Sequence, residues 1–255
     1  MMTWLAEWWV WAQPKAVAGE LNFFENLLKE VYINLLMNRR YMQYLNGLRI
    51  TLLVSLLAAL AGFVLGLALA MMRLSDARVG RFRWLSWLAG KYINIIRGTP
   101  MLLQILIINF GILKSVKNKM ITGVFAFSLN SGAYIAEILR GGIQSVDHGQ
   151  VEAGRSLGLS EFQTMYLIVF PQALKSALPS LCNEFITLLK ETSILAYIAL
   201  SDLTKAADYI RSRTYSPFMP YIISGLMYLA VVTVLTKAVA VLERKLRQGD
   251  TRAKT

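Results

Sequence analysis

The chain has 255 residues, 56% of them hydrophobic and only 16% charged, with a formal net charge of +12. Soluble domains carry roughly a quarter charged residues, so an ordinary soluble domain is a poor fit. The single cysteine, Cys182, excludes an internal disulfide and a multi-cysteine metal site, and the single histidine, His148, excludes the paired-histidine metal motifs.

Met1 to Trp11 has no basic stretch ahead of its apolar residues, so no cleavable signal peptide is expected. Trp4, Trp8, Trp9 and Trp11 suit a membrane–water interface. Leu21 to Arg40 reads as one amphipathic helix. Phe24, Leu27, Leu28, Val31 and Leu35 recur at helical spacing, and Asn22, Glu25, Asn26, Lys29 and Asn34 fill the rest. It is too charged to span a bilayer. An in-plane interfacial helix is expected, with packing on a partner protein as the alternative.

Ile50 to Met72 is a run of 23 uncharged residues, and Thr214 to Thr236 is another. Each exceeds the ~20 residues that cross a ~30 Å hydrocarbon core. The first span is expected over about Leu48 to Met72, with Gly62 and Gly66 permitting close helix contact. A basic stretch follows, with Arg73, Arg78, Arg81, Arg83, Lys91 and Arg97. Trp84 to Ile96 within it is mixed and is expected near the interface. Gly98 to Leu113 and Met120 to Ala136 are shorter apolar runs. Gly141 to Glu161 is too polar to span, and His148 is expected in a loop there. Thr164 to Ser201 is apolar but interrupted, and about Pro217 to Val241 forms the last span.

Five spans follow if the interrupted region crosses once, which puts the N-terminus outside and the C-terminus in the cytoplasm. Fifteen Lys and Arg then lie on the cytoplasmic side and eleven on the other, the direction of the positive-inside rule. The basic residues sit between apolar runs instead of forming one stripe. That argues for membrane topology and lipid head groups and against nucleic acid. The expected division is an N-terminal segment over 1–45, a transmembrane domain over 46–247 with a cytoplasmic loop at about 141–162, and a polar tail over 248–255.

Polar residues inside spans are costly and mark functional candidates. Asn130, Tyr134 and Glu137, with Ser131 beside them, share a helix face at i, i+4, i+7. Asn183, Thr187, Lys190 and Glu191 share another, with Glu184 adjacent. Two polar faces suit a route for a polar solute. Equally, Glu137 pairs with Arg140, and Glu184 or Glu191 with Lys190, as structural charge pairs. Arg97-Gly98-Thr99-Pro100 opens a short span, and such a break presents helix N–H groups suited to an anion; the alternative is a plain proline turn. No Ser-His-Asp set and no Gly-x-x-x-x-Gly-Lys phosphate loop is present, so neither catalysis nor ATP hydrolysis by this chain is expected.

Glu152-Ala153-Gly154-Arg155-Ser156-Leu157-Gly158-Leu159-Ser160 is polar, helix-capable and ends on a glycine, a shape suited to a partner's groove. With Pro171 downstream it resembles the EAA signature of ABC-importer permeases, with Gly154 where a second alanine is usual. Tyr92 to Gln104, Tyr134 to Gln150, Pro171-Gln172-Ala173, Leu178-Pro179 and Leu188 to Ile194 narrow the resemblance to the polar amino-acid permeases of the histidine, glutamine and arginine type. It covers about Leu45 to Leu246.

The resemblance implies an all-α membrane protein of the type I ABC importer permease fold, with about five transmembrane helices beside the N-terminal interfacial helix. It implies a bacterial inner-membrane location and a second permease subunit, identical or paralogous. Two ATP-binding subunits would carry ATP and Mg, and an extracytoplasmic amino-acid-binding protein would deliver the solute. It assigns Glu152, Ala153, Gly154, Ser156, Leu157, Gly158, Leu159 and Ser160 to ATPase coupling. It places Arg97, Thr99, Asn130, Tyr134, Glu137, Asn183 and Glu191 near the substrate route. The competing reading is a secondary transporter driven by an ion gradient, whose sign would be inverted repeats; the sequence shows none.

Overall fold

The computed structural model describes residues 2–74 and 83–252, which form helices and turns without a strand. Arg78 and Arg81 of the basic stretch, and the end of the tail at 253–255, lie outside the described residues. The helices are α1 (Met2–Ala18), α2 (Phe23–Val31), α3 (Tyr41–Leu74), α4 (Trp84–Arg97), α5 (Met101–Ile107), α6 (Lys119–Gln144), α7 (His148–Ser156), α8 (Glu161–Thr164), α9 (Phe170–Glu191), α10 (Leu203–Thr214) and α11 (Met219–Arg252). Wide π-type turns occupy Tyr32–Leu36, Ile108–Ile112 and Met165–Val169.

Among the described residues, two helices are apolar and long enough to cross a bilayer alone, Tyr41–Leu74 and Met219–Leu246. A third apolar stretch is bent: Trp84–Arg97 and Met101–Ile112 meet at 104°, the geometry of a broken span or a re-entrant loop. α6 and α9 have 26 and 22 residues. At 1.5 Å per residue even the shorter is about 33 Å long, so length suffices while polar residues lower hydropathy. These five elements are consistent with the expected count of about five.

The chain divides into two compact units, Met1–Leu53 with Thr192–Val231 and Val54–Glu191 with Val232–Thr255. In the first, Tyr44, Leu203, Ala207 and Ile210 form the core, and Leu35 and Leu48 pack against it. Gly47 is required there, because a Cβ would stand 2.7 Å from the carbonyl oxygen of Asp202.

The second unit is built by small residues. One core joins Leu69 of α3, Ala89 and Ile93 of α4, and Ala133 and Ala136 of α6. Another joins Ala70, Ile135, Leu139 and Ala177. Gly66 and Gly132 let α3 and α6 close up: a Cβ on Gly66 would meet Ile135 at 2.6 Å, and one on Gly132 would meet Leu65 at 2.8 Å. Lipid supplies little hydrophobic drive between helices, so close backbone approach is how they associate.

Two expectations need correcting. The amphipathic helix over 21–40 is not continuous. Asn22 and Glu25 form a capping box, which starts α2 at Phe23. After Val31 the chain opens into a wide turn, then reaches Asn38 and Arg39 at φ 54° and 55°. Asparagine tolerates this left-handed geometry better than most residues. Trp84 to Ile96 folds as α4, with Ala89, Gly90 and Ile93 buried in the second unit. His148 is the first residue of α7 and not a loop residue.

Candidate functional site

The second unit holds two polar constructions, a cluster at the α4–α5 break and the α7 turn. The break follows from local sequence. Pro100 has no N–H and holds its predecessor extended, so α4 stops at Arg97. A helix end inside a membrane leaves carbonyls without partners. Here they are answered by side chains. The Thr99 hydroxyl donates to the Ile95 carbonyl at 2.9 Å. The Gln104 amide nitrogen lies 2.7 Å from the Ile96 carbonyl, 3.0 Å from the Thr99 carbonyl and 2.7 Å from the Thr99 hydroxyl.

The amide oxygen of Gln104 then accepts a hydrogen bond of 3.1 Å from Asn130 of α6. Gln104 thereby holds the break against the polar face of α6. Four residues further along α6, Tyr134 carries Arg97 on its ring, with the guanidinium carbon 5.2 Å from the ring centroid. The Arg97 Nη1 also lies 3.9 Å from Glu137. Arg140 holds the same carboxylate from its own helix, with Nε at 3.1 Å and Nη2 at 2.7 Å, and its other Nη donates to Gln144 at 2.6 Å.

Of the residues assigned to a route, the fold brings Arg97, Thr99, Asn130, Tyr134 and Glu137 together. The helical spacing of the last three is what points them all at α4 and α5. Glu137 also makes the Arg140 pair that the sequence offered as the structural alternative; the two readings describe one residue.

Asn183 and Glu191 stand apart on α9. They are exposed together with Thr187 and Lys190, while Ile186, Leu188 and Leu189 on the other side are buried. Glu184 turns toward α6, where the Ser131 hydroxyl donates to it across 3.4 Å. Both line a cleft of about 380 Å³ whose other walls include Phe63, Leu178, Leu181 and Cys182.

Gln104 escapes a reading based on charge, because Gly98 to Leu113 is an uncharged run. Its signal is available: it is the one polar side chain in α5, one turn past the proline. Asn109 escapes in the same way, and it is buried with its oxygen 2.8 Å from Lys119 Nζ.

The second construction is local and exposed. Asp147 starts α7 by accepting from the Gly149 N–H at 2.7 Å. The helix closes with the Leu157 N–H on the Ala153 carbonyl at 3.0 Å and the Leu159 N–H on the Gly154 carbonyl at 3.2 Å. That closure puts Gly158 at φ +85°, a conformation that suits glycine. Arg155 donates to the Leu159 carbonyl at 2.9 Å, fastening the turn. Ser160 then caps α8 in a box with Gln163.

Glu152, Ala153, Ser156, Leu157, Gly158 and Ser160 are exposed, and Leu159 is half-buried. Leu157 is 82% exposed and Phe162 74%. Gly154 alone in this set is buried. A Cβ there would meet Ile168 Cδ1 at 2.8 Å and Thr164 Cγ2 at 3.0 Å, so the small residue seats α7 on the start of the helix leading to α9.

Residues 62–248 match the family described as binding-protein-dependent transport system inner membrane component. The arginine transport system permease protein ArtQ of Bacillus subtilis is 38% identical over 209 residues, covering 81% of this chain and 93% of that protein. A putative glutamine transport system permease protein GlnP of Rickettsia bellii is 39% identical over 203 residues, covering 78% and 91%. Among solved structures, an amino acid ABC transporter crystallised with histidines superposes with a TM-score of 0.76 at 41% identity, over 82% of this chain and 96% of that one. Polar-faced spans and an exposed helix–glycine turn are thus found where close relatives are permeases, and the chain belongs to the family of binding-protein-dependent transport system inner membrane components.

Proposed function

We infer that the chain is the transmembrane permease subunit of an ABC importer for polar amino acids. The observation that carries this reading is the pairing of an exposed coupling helix, α7, with spans that bear polar faces. Residues 46–247 serve as the permease domain, with the N-terminus outside the cell and the C-terminus in the cytoplasm. A second permease subunit completes the route. An extracytoplasmic binding protein delivers the solute, and two ATPase subunits supply ATP and Mg chemistry below.

Each end of α7 has a role. Glu152, Ala153, Ser156 and Leu157 present the docking face; Gly158, Leu159 and Ser160 make the turn that exposes it; Gly154 mounts it on α8. A push on α7 reaches α9 through Thr164 and Ile168. In the membrane, Arg97, Thr99, Asn130, Tyr134 and Glu137 line one wall of the route, and Asn183 and Glu191 another. Arg97 and Arg140 share the single carboxylate of Glu137, which leaves one positive charge in surplus. A free amino acid is a zwitterion, so that surplus suits its carboxylate, and Glu191 on the second wall suits its ammonium.

The test is reconstitution with the ATPase and binding-protein partners, followed by uptake of labelled amino acids with ATP inside the vesicles. Uptake that requires both partners and ATP is expected. Uptake driven by an ion gradient with no ATPase present would overturn the reading.

A further inference from the structure

The N-terminal region precedes the family match at residue 62, yet it is built into the first unit by specific bonds. Asn34 is fully buried. Its amide nitrogen donates to the Glu30 carbonyl at 2.8 Å and to the Glu30 carboxylate at 3.0 Å. Its oxygen accepts from the Thr214 hydroxyl at the end of α10 at 2.8 Å. Ser216 donates to the same Glu30 carboxylate at 2.5 Å, and Arg40 donates to the Ile33 carbonyl. A buried polar network of this kind fixes one arrangement, because a half-satisfied version is costly. α1 joins it through Trp9, which stacks on Tyr32 at 5.7 Å.

Against this fixed side stands an apolar one. Trp4, Trp8, Trp11 and Lys15 recur at i, i+4, i+7 and i+11, so they share a face of α1, and Lys15 Nζ lies 4.0 Å over the Trp11 ring. Trp4 and Trp11 are more than half exposed, and on α2 Phe23 and Phe24 are 76% and 72% exposed. The chain then runs from Leu36 through one short turn into α3, which crosses the bilayer from Tyr41. The exposed rings therefore belong to the two helices that lead into a spanning helix. Tryptophan with a lysine head group is the composition of the membrane–water boundary.

We propose that α1 and α2 form a single anchor in the lipid interface, their aromatic faces in the head-group and upper acyl region, locked to α10 by Glu30 and Asn34. Residues 2–36 carry four carboxylates and two lysines, so attachment rests on apolar insertion and not on anionic lipid. The anchor depends only on α3 crossing the bilayer, whichever solute the protein carries.

The test uses the full chain in vesicles, with Trp84→Phe and Trp87→Phe so that only the four N-terminal tryptophans emit. Brominated phosphatidylcholines serve as quenchers. Bromines near the glycerol end of the acyl chains are expected to quench strongly, and bromines near the methyl end less. The result is expected to be the same with and without anionic lipid. Emission untouched by either lipid overturns the anchor: rings then reached by aqueous iodide face water, and rings reached by neither quencher are covered by protein. Stronger quenching by the deep bromines also overturns it, since α1 would then cross the membrane. For the lock, Asn34→Ala and Thr214→Val should each lower the unfolding midpoint, and the double variant should lose no more than the larger single loss. Additive losses would refute the lock.

Discussion

The α4–α5 break and the α7 turn are both interruptions in a helical chain, and they are finished in opposite ways. At the break, the side chains of Thr99 and Gln104 bond the carbonyls of Ile95, Ile96 and Thr99 at the helix end. At the turn, the backbone closes on itself through Gly158, and Leu157 and Phe162 are left outside. The solvent explains the difference. Hydrocarbon offers a broken helix no hydrogen bonds, so the polar groups must be met from within the protein. Water meets them freely, so the turn outside can afford exposed apolar side chains, which are then available to a partner protein.

The largest effect should come from breaking the outer turn. Gly158→Glu is expected to abolish substrate-stimulated ATP hydrolysis by the assembled transporter while the chain still inserts. Gly158→Ala separates two causes. It forces a side chain into the left-handed region at a cost of about 1 kcal/mol but adds no charge, so coupling should be weakened and not lost. Hydrolysis that survives the glutamate would show that α7 is not the docking element.

Gln104→Ala breaks the inner arrangement instead. It removes contacts to Ile96, Thr99 and Asn130. Hydrogen bonds between membrane helices average about 0.6 kcal/mol each, so a loss of roughly 2 kcal/mol is expected on unfolding in detergent. Uptake should fall while ATPase binding stays unchanged. If uptake and ATPase binding fell together, the break and the turn would not be separate constructions.

The smallest effect should come from Gly154→Ala. The new methyl presses on Ile168 Cδ1, the free end of a flexible side chain, and alanine favours the helix by up to about 1 kcal/mol over glycine. The two nearly cancel, so coupling should persist. Gly154→Leu cannot be absorbed this way and should dislodge α7, measured as loss of ATPase co-purification. A tolerated leucine would mean that the seat on Thr164 and Ile168 carries nothing.

What the sequence made legible follows a physical line. Runs of apolar residues announce spans because the bilayer has a fixed thickness, and so α3 and α11 were plain. Helical spacing put Asn130, Tyr134 and Glu137 on one face, and they meet α4 and α5 together. Capping is also written in the chain, at Asn22 with Glu25, but both residues fit a polar stripe equally well. The partner of a face was not legible. Nothing in the order of residues says that Gln104 meets Asn130, or that Asn34 meets Thr214 across 180 positions. Those pairings depend on which helices close up, and that is decided by glycines such as Gly66 and Gly132 acting at a distance in sequence.

The wide turn at Met165–Val169 stands between α8 and α9 and just ahead of Pro171, whose ring would crowd the carbonyl of Leu167 in a tighter helix. Such a turn holds one residue more than an ordinary helical turn. One residue corresponds to about 100° of rotation about the helix axis. The extra residue therefore sets the bearing of everything that follows. Asn183, Thr187 and Glu191 look outward from α9 because of it, and deleting a single residue there would swing all three toward the side that now carries Ile186 and Leu189, without touching any of them.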